Sequence, residues 1–98
     1  MSEAELLTSI REVLLNTFQE RDQDIDIYNV DMDTDLIEQL SINSILVIEI
    51  LVRLENILDI EFDDENLSPE NIRTMRSIVS FCNEAISKRD TWKVFVIN

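Results

Sequence analysis

Apolar residues recur three and four apart at the start of the chain, and this spacing predicts a helix from about Ser2 to Phe18 or Gln19. At 100° per residue, Leu6, Leu7, Ile10, Val13, Leu14 and Phe18 fall within an arc of about 140°, with Glu3, Glu12 and Leu15 off it. Ser2 stands at the N-cap, and Glu5, three residues later, completes a capping box. From Glu20 to about Ile42 the helical period fails. Eight acidic residues lie between Glu20 and Glu38, interrupted by Ile25, Ile27, Val30, Met32 and Leu36. A connection of that length is uncommon unless it is pinned or functional, so these aliphatics are expected to peg it to the core. Asp35 to Gln39 is expected to form one helical turn.

A second helix is predicted from Ser44 to about Leu58, apolar nearly all round. Asp63-Asp64-Glu65 marks a loop. Ser68-Pro69-Glu70 is a helix start, with Ser as N-cap and Pro at the first position, and this helix is expected to last one turn. Thr74 offers a further cap for a last helix over Met75 to Lys88. Its stripe is Ile78, Val79, Cys82 and Ile86, with Met75 at the edge, and Lys88 and Arg89 suit its negative end. The fold class predicted is all-α: a bundle of three main helices and one short one, with a long loop between the first two. The chain divides into a body over 1–88 and an apolar tail over 89–98. That tail packs on the body, pairs edge to edge or is docked by a partner. The absence of Gly fits helices joined by longer loops, with Asn the expected residue at any left-handed cap.

The second helix has more apolar residues than a core face needs. With Ser44 set at 0°, Leu46, Val47, Ile50, Leu51, Leu54, Ile57 and Leu58 span roughly 200° to 340° and form the core face. Glu49, Arg53 and Asn56 belong in water. Ile45, Ile48 and Val52 are left at about 40° to 100°, beside Ser44. Either the loop over 20–42 covers these three, or they form a docking surface next to a hydroxyl. Ser44 alone reads as an ordinary cap.

Composition narrows the function. The 98 residues carry 21 Asp and Glu against 8 Lys and Arg, a formal net charge of −13, and no His. Such a surface repels phosphate backbones and anionic headgroups, so nucleic acid and membrane are poor partners and basic protein surfaces are favoured. Without His the usual general base and commonest metal ligand are missing, which argues against an enzyme. The single Cys82 excludes an internal disulfide and fits a reduced, cytoplasmic setting. The acidic opening Ser2-Glu3-Ala4-Glu5 is no signal peptide, and no apolar run reaches a membrane span. Asp31-Met32-Asp33-Thr34-Asp35 suggests a calcium loop, which would need Gly at the sixth position and Glu at the twelfth. The chain has Leu36 and Ile42 there, and starting at Asp22 gives Ile27 and Asp33, so no metal site is assigned.

The stretch Asp35-Leu36-Ile37-Glu38-Gln39-Leu40-Ser41-Ile42-Asn43-Ser44-Ile45, followed by an apolar-acidic helix, resembles the acyl and peptidyl carrier protein family. The likeness continues through Ile48-Glu49, Leu54-Glu55 and Phe62-Asp63-Asp64-Glu65 to about residue 88. It implies a four-helix carrier bundle whose Ser44 receives 4′-phosphopantetheine from a separate phosphopantetheinyl transferase. The thiol of that arm would hold acyl or aminoacyl thioesters for loading and downstream enzymes. It also implies docking through Ile45, Ile48, Glu49 and Val52; with no linker or second domain in the sequence, a free-standing, monomeric carrier is expected. The chain departs from the family pattern twice. Ser41 replaces the usual Gly, and Asn43 replaces the usual Asp, a variant that points toward polyketide, nonribosomal peptide or related specialised biosynthesis. The rival reading is a small acidic helical interaction module without a prosthetic group.

Overall fold

Four α-helices carry the chain, and among the described residues there is no strand. The structure is a computed structural model describing residues 2–20, 26–63, 65 and 67–97, without the side chains of residue 28 and residues 91–97. α1 spans Glu3–Gln19, and its Ser2 Oγ accepts the Glu5 N–H at 3.2 Å, as the cap pattern predicts. α2 is one turn, Leu36–Gln39, capped by Asp35, whose carboxylate accepts the Glu38 N–H at 3.1 Å. α3 spans Ser44–Leu58 and α4 Met75–Ile97. Short 3-10 turns occupy Ile27–Asn29 and Pro69–Ile72, the second capped by Ser68.

α1 packs on α3 and α4, and their apolar stripes meet in one core. The six α1 positions divide as the period requires: Leu6, Ile10, Val13, Leu14 and Phe18 are buried, and Leu7 is half-buried against them. Leu15, placed off the arc by the wheel, also packs on the core in part. Thr17 is fully buried, with its hydroxyl donating to the Val13 carbonyl at 2.7 Å. That bond removes the cost of burying a polar group, so hydropathy alone misses the position.

Three expectations need correction. Ile57 is 54% exposed rather than part of the core, because α3 meets its neighbours over a narrower face than its composition offers. Met75 is fully buried rather than at the edge of its stripe, and Phe81 and Ala85 join it in the core. α4 does not stop near Lys88 but continues to Ile97. Lys88 and Arg89 therefore sit within the helix, and Arg89 serves another end. Its guanidinium donates to the Leu58 and Asp59 carbonyls at 2.8 and 3.1 Å, satisfying the last carbonyls of α3. The packing of the 91–97 side chains lies outside the described residues.

The long loop is pinned as its length demands. Ile27 and Leu36 are fully buried, and Val30 and Met32 partly so; Ile25 lies outside the described residues. Arginines add a second set of ties. Arg73 joins Asp35 at 2.8 Å and Glu70 at 2.7 Å, and Arg76 joins Asp33 at 2.8 Å. Alongside, the Leu36 N–H meets the Arg73 carbonyl at 2.6 Å and the Arg76 N–H meets the Met32 carbonyl at 3.0 Å. Arg76 thus holds the acidic segment to the start of α4, and Arg73 to the turn just before it.

Among the described residues, Ser41 and Asp59 are left-handed, at φ 52° and 53°, and neither is the Asn anticipated. Each follows a helix in the same way. The Ile42 N–H reaches back to the Ile37 carbonyl at 3.1 Å, and the Ile60 N–H to the Glu55 carbonyl at 3.1 Å. These six-to-one bonds mark Schellman ends, which place one residue in the left-handed region. Buried Ile42 and Ile60 follow immediately and anchor both turns.

Candidate functional site around Ser44

The turn at Ser41 delivers the chain directly into α3. Asn43, in an extended conformation, is the N-cap: its Oδ1 accepts the Leu46 N–H at 2.9 Å, and its carbonyl accepts the Val47 N–H at 3.0 Å. Ser44 is therefore the first helical residue and not the cap that a Ser at a helix start suggests. Its side chain is exposed, and its hydroxyl has no hydrogen-bond partner among the described residues. An N-cap of the same shape as Asp does this work without a negative charge, and the first turn of α3 contains no acidic residue.

Position matters here because the first N–H groups of a helix lack partners within it. They and the aligned peptide dipoles favour an anion at that end by roughly 0.3–1 kcal/mol. With the Leu46 N–H taken by Asn43, the Ser44 and Ile45 N–H groups stay available beside the Ser44 hydroxyl. The site combines an exposed primary hydroxyl with a mildly electropositive helix end.

The apolar strip beside it is uncovered. Ile45, Ile48 and Val52 are 73%, 46% and 45% exposed, so the described part of the loop over 20–42 does not shield them. Glu49 lies next to the strip, half-buried, and pairs with Arg53 at 3.1 Å. Arg53 also pairs with Glu20, which is the main reason its guanidinium is held charged more firmly than usual, with Glu49 adding to the effect. Arg53 is thus not simply solvated, as the wheel suggests.

Cys82 is fully enclosed, and burial pushes its thiol up to about 12. It behaves as a small core residue and is unsuited to presenting a thiol to other proteins. No group of three acidic or cysteine residues converges on a common point among the described residues, and no described helix is long and apolar enough to cross a membrane.

No curated protein matches the chain. The family model described as the phosphopantetheine attachment site matches residues 5–82, which takes in most of α1, the pinned loop, all of α3 and the start of α4. An uncommitted serine hydroxyl at the head of a helix, inside a matched segment that covers most of the sequence, leads to one assignment: the chain belongs to the phosphopantetheine attachment family, as a carrier of the acyl and peptidyl kind.

Proposed function

We propose that Ser44 is the attachment residue and that the chain carries acyl or aminoacyl groups for partner enzymes of a specialised biosynthetic route. The observation that carries this reading is the Ser44 hydroxyl itself, exposed, unpaired and placed in the family's signature as Asn43-Ser44-Ile45. The side chains present fit the group. The hydroxyl has room to become a phosphodiester, and the neighbouring N–H groups and helix end suit the negative charge that comes with it. When attached, 4′-phosphopantetheine supplies a thiol on a long flexible arm, which the buried Cys82 does not.

The rest is done by the chain's own residues. Ser44 Oγ forms the new bond to phosphorus and gives up its proton, while the pyrophosphate bond of coenzyme A breaks and its adenosine bisphosphate half leaves. No described side chain is hydrogen-bonded to the Ser44 hydroxyl to accept that proton, so on this reading the base comes from the modifying transferase. Ile45, Ile48 and Val52 form the docking strip, with Glu49 at its edge, for the transferase and for loading and downstream enzymes. Their exposure supports this, because aliphatic groups in water at this density are otherwise unfavourable. Asn43 in place of the usual Asp supports a specialised route.

Incubation with coenzyme A and a phosphopantetheinyl transferase should raise the intact mass by one arm, and Ser44→Ala should abolish the rise. A wild-type chain left unmodified beside a competent control carrier would instead favour an interaction module without a prosthetic group. Val52→Glu should slow modification while the helical circular dichroism stays unchanged; loss of helicity would place Val52 in the core.

A further inference from the structure

The apolar tail of the sequence has no part in the carrier reading, and it forms the last turns of α4. Met75, Ile78, Cys82 and Ala85 lie three or four residues apart on one row of that helix and are buried in the core. Continued at the same spacing, the row runs through Arg89, Trp92 and Val96. The neighbouring helices do not go so far. α1 ends at Gln19, and Glu20 just beyond it pairs with Arg53, about one turn before the end of α3. α3 itself ends where the Arg89 guanidinium meets the Leu58 and Asp59 carbonyls. The core row of α4 thus outruns both helices by about two turns, roughly 12 Å from Arg89 to Ile97.

Charge divides along the same line. Residues 88–97 hold Lys88, Arg89 and Lys93 against Asp90 alone, whereas residues 1–87 hold 5 basic and 20 acidic side chains. At the base of the extension a groove of about 490 Å³ lies between α4 and the segment that follows α3. Buried Ile60 and Ala85 line it, and exposed Asp59, Glu61 and Asp63 stand along one side. We infer that this end of the molecule is a self-association face, on which two copies pair their α4 extensions antiparallel. Setting Arg89 of one copy level with Val96 of the other overlaps the extensions in full and places both Trp92 residues beside the two-fold axis. Each copy supplies an apolar neighbour to the row that the other copy's α1 and α3 leave behind. The far end of each extension comes level with the other copy's groove, so a cationic segment meets an acidic rim, and Lys93 falls within one turn of the other copy's Asp90. Antiparallel pairing also keeps the two acidic bodies at opposite ends, where a parallel pair would set them side by side. The monomer expected from the sequence gives way to a weak dimer. Two turns per copy bury less than a standard interface, so dissociation is expected on the order of 10 µM.

The test follows the full, unmodified chain by sedimentation velocity from about 1 to about 300 µM, a span that brackets this value. The mass should rise from 11.5 kDa toward twice that value. Emission from Trp92, the only Trp in the chain, should move to shorter wavelength over the same range. Small-angle scattering of the dimer should give a maximum dimension near twice the 47 Å length of one copy, less the overlap of roughly 12 Å. Val96→Asp should hold the chain at monomer mass throughout. Lys93→Glu, which keeps a good helix former, should weaken pairing about three- to ten-fold at low salt and much less in about 0.5 M NaCl. Ser44→Ala should pair as the wild type does, so the result is separate from whether Ser44 is modified. A monomer at every concentration, pairing that neither Val96→Asp nor Lys93→Glu weakens, a dimer no longer than one copy, or loss of pairing in Ser44→Ala would overturn the inference.

Discussion

Replacing Ser41 with Gly should stabilise the protein, although it removes a side chain. Ser41 holds φ at 52° because the six-to-one bond from Ile42 to Ile37 closes the end of α2 around it. In that region a Cβ crowds the following carbonyl, at a cost of roughly 1 kcal/mol or more for an L-residue. Gly removes the clash but enlarges the unfolded ensemble, which offsets about 0.5 kcal/mol of the gain. The Ser41 side chain is exposed, so little packing is lost. The net expectation is about 0.5 kcal/mol of added stability, which for a domain of this length raises Tm by roughly 2–4 °C. Thermal melts followed at 222 nm and urea titrations should agree, with the urea midpoint rising and the slope unchanged. Ser41→Ala keeps the Cβ and should gain nothing. A Gly variant that melts at or below wild type, or an Ala variant that gains as much, would refute the claim that backbone strain at this turn is relieved.

Other outcomes follow from the same structure. Leu36→Ala empties a fully buried position under α2 and should cost about 2–4 kcal/mol, read from urea denaturation, with α1 and α3 still helical before the transition. Acidification should destabilise the fold through the loop ties. The Asp33 carboxyl is held below its usual range mainly by the bond from Arg76, Asp35 by the Glu38 N–H and then Arg73, and Glu70 by Arg73. Carboxyls lowered in the folded state contribute stability that is present above their ordinary values near 4 and lost as pH falls through the folded ones. Melting temperature should therefore drop below about pH 4, and less steeply in Arg73→Gln than in wild type. Cys82 should resist iodoacetamide at pH 8 in the native protein and react at an ordinary thiol rate once urea unfolds it.

Much of the fold was legible because single residue types carried it. The periods of α1 and α3, the caps at Ser2, Ser68 and Thr74, and Pro69 at a first helical position all act locally. The structure places each where its chemistry belongs, with the Ser77 N–H meeting the Thr74 Oγ1 at 3.0 Å. Features made by residues distant in sequence were not legible. Nothing local announces that Arg73 and Arg76 tie down Asp35 and Asp33, or that Arg89 ends α3, some thirty residues earlier. Ile57 was misplaced for a related reason: the wheel gives a side chain's angle but not how wide the neighbouring helices are. At the site, the position of Ile45, Ile48 and Val52 outside any core arc was readable, whereas whether the long loop covers them was not, because that depends on contacts between distant segments. The roles of Asn43 and Ser44 were not, since either residue type caps a helix equally well.

That division of work between adjacent residues has a consequence for the life of a carrier. The bonds that start α3 come from Asn43, so esterifying Ser44 would break none of them. Bare and loaded molecules would then share the same scaffold, and enzymes later in the sequence would have to tell them apart by what hangs from the oxygen.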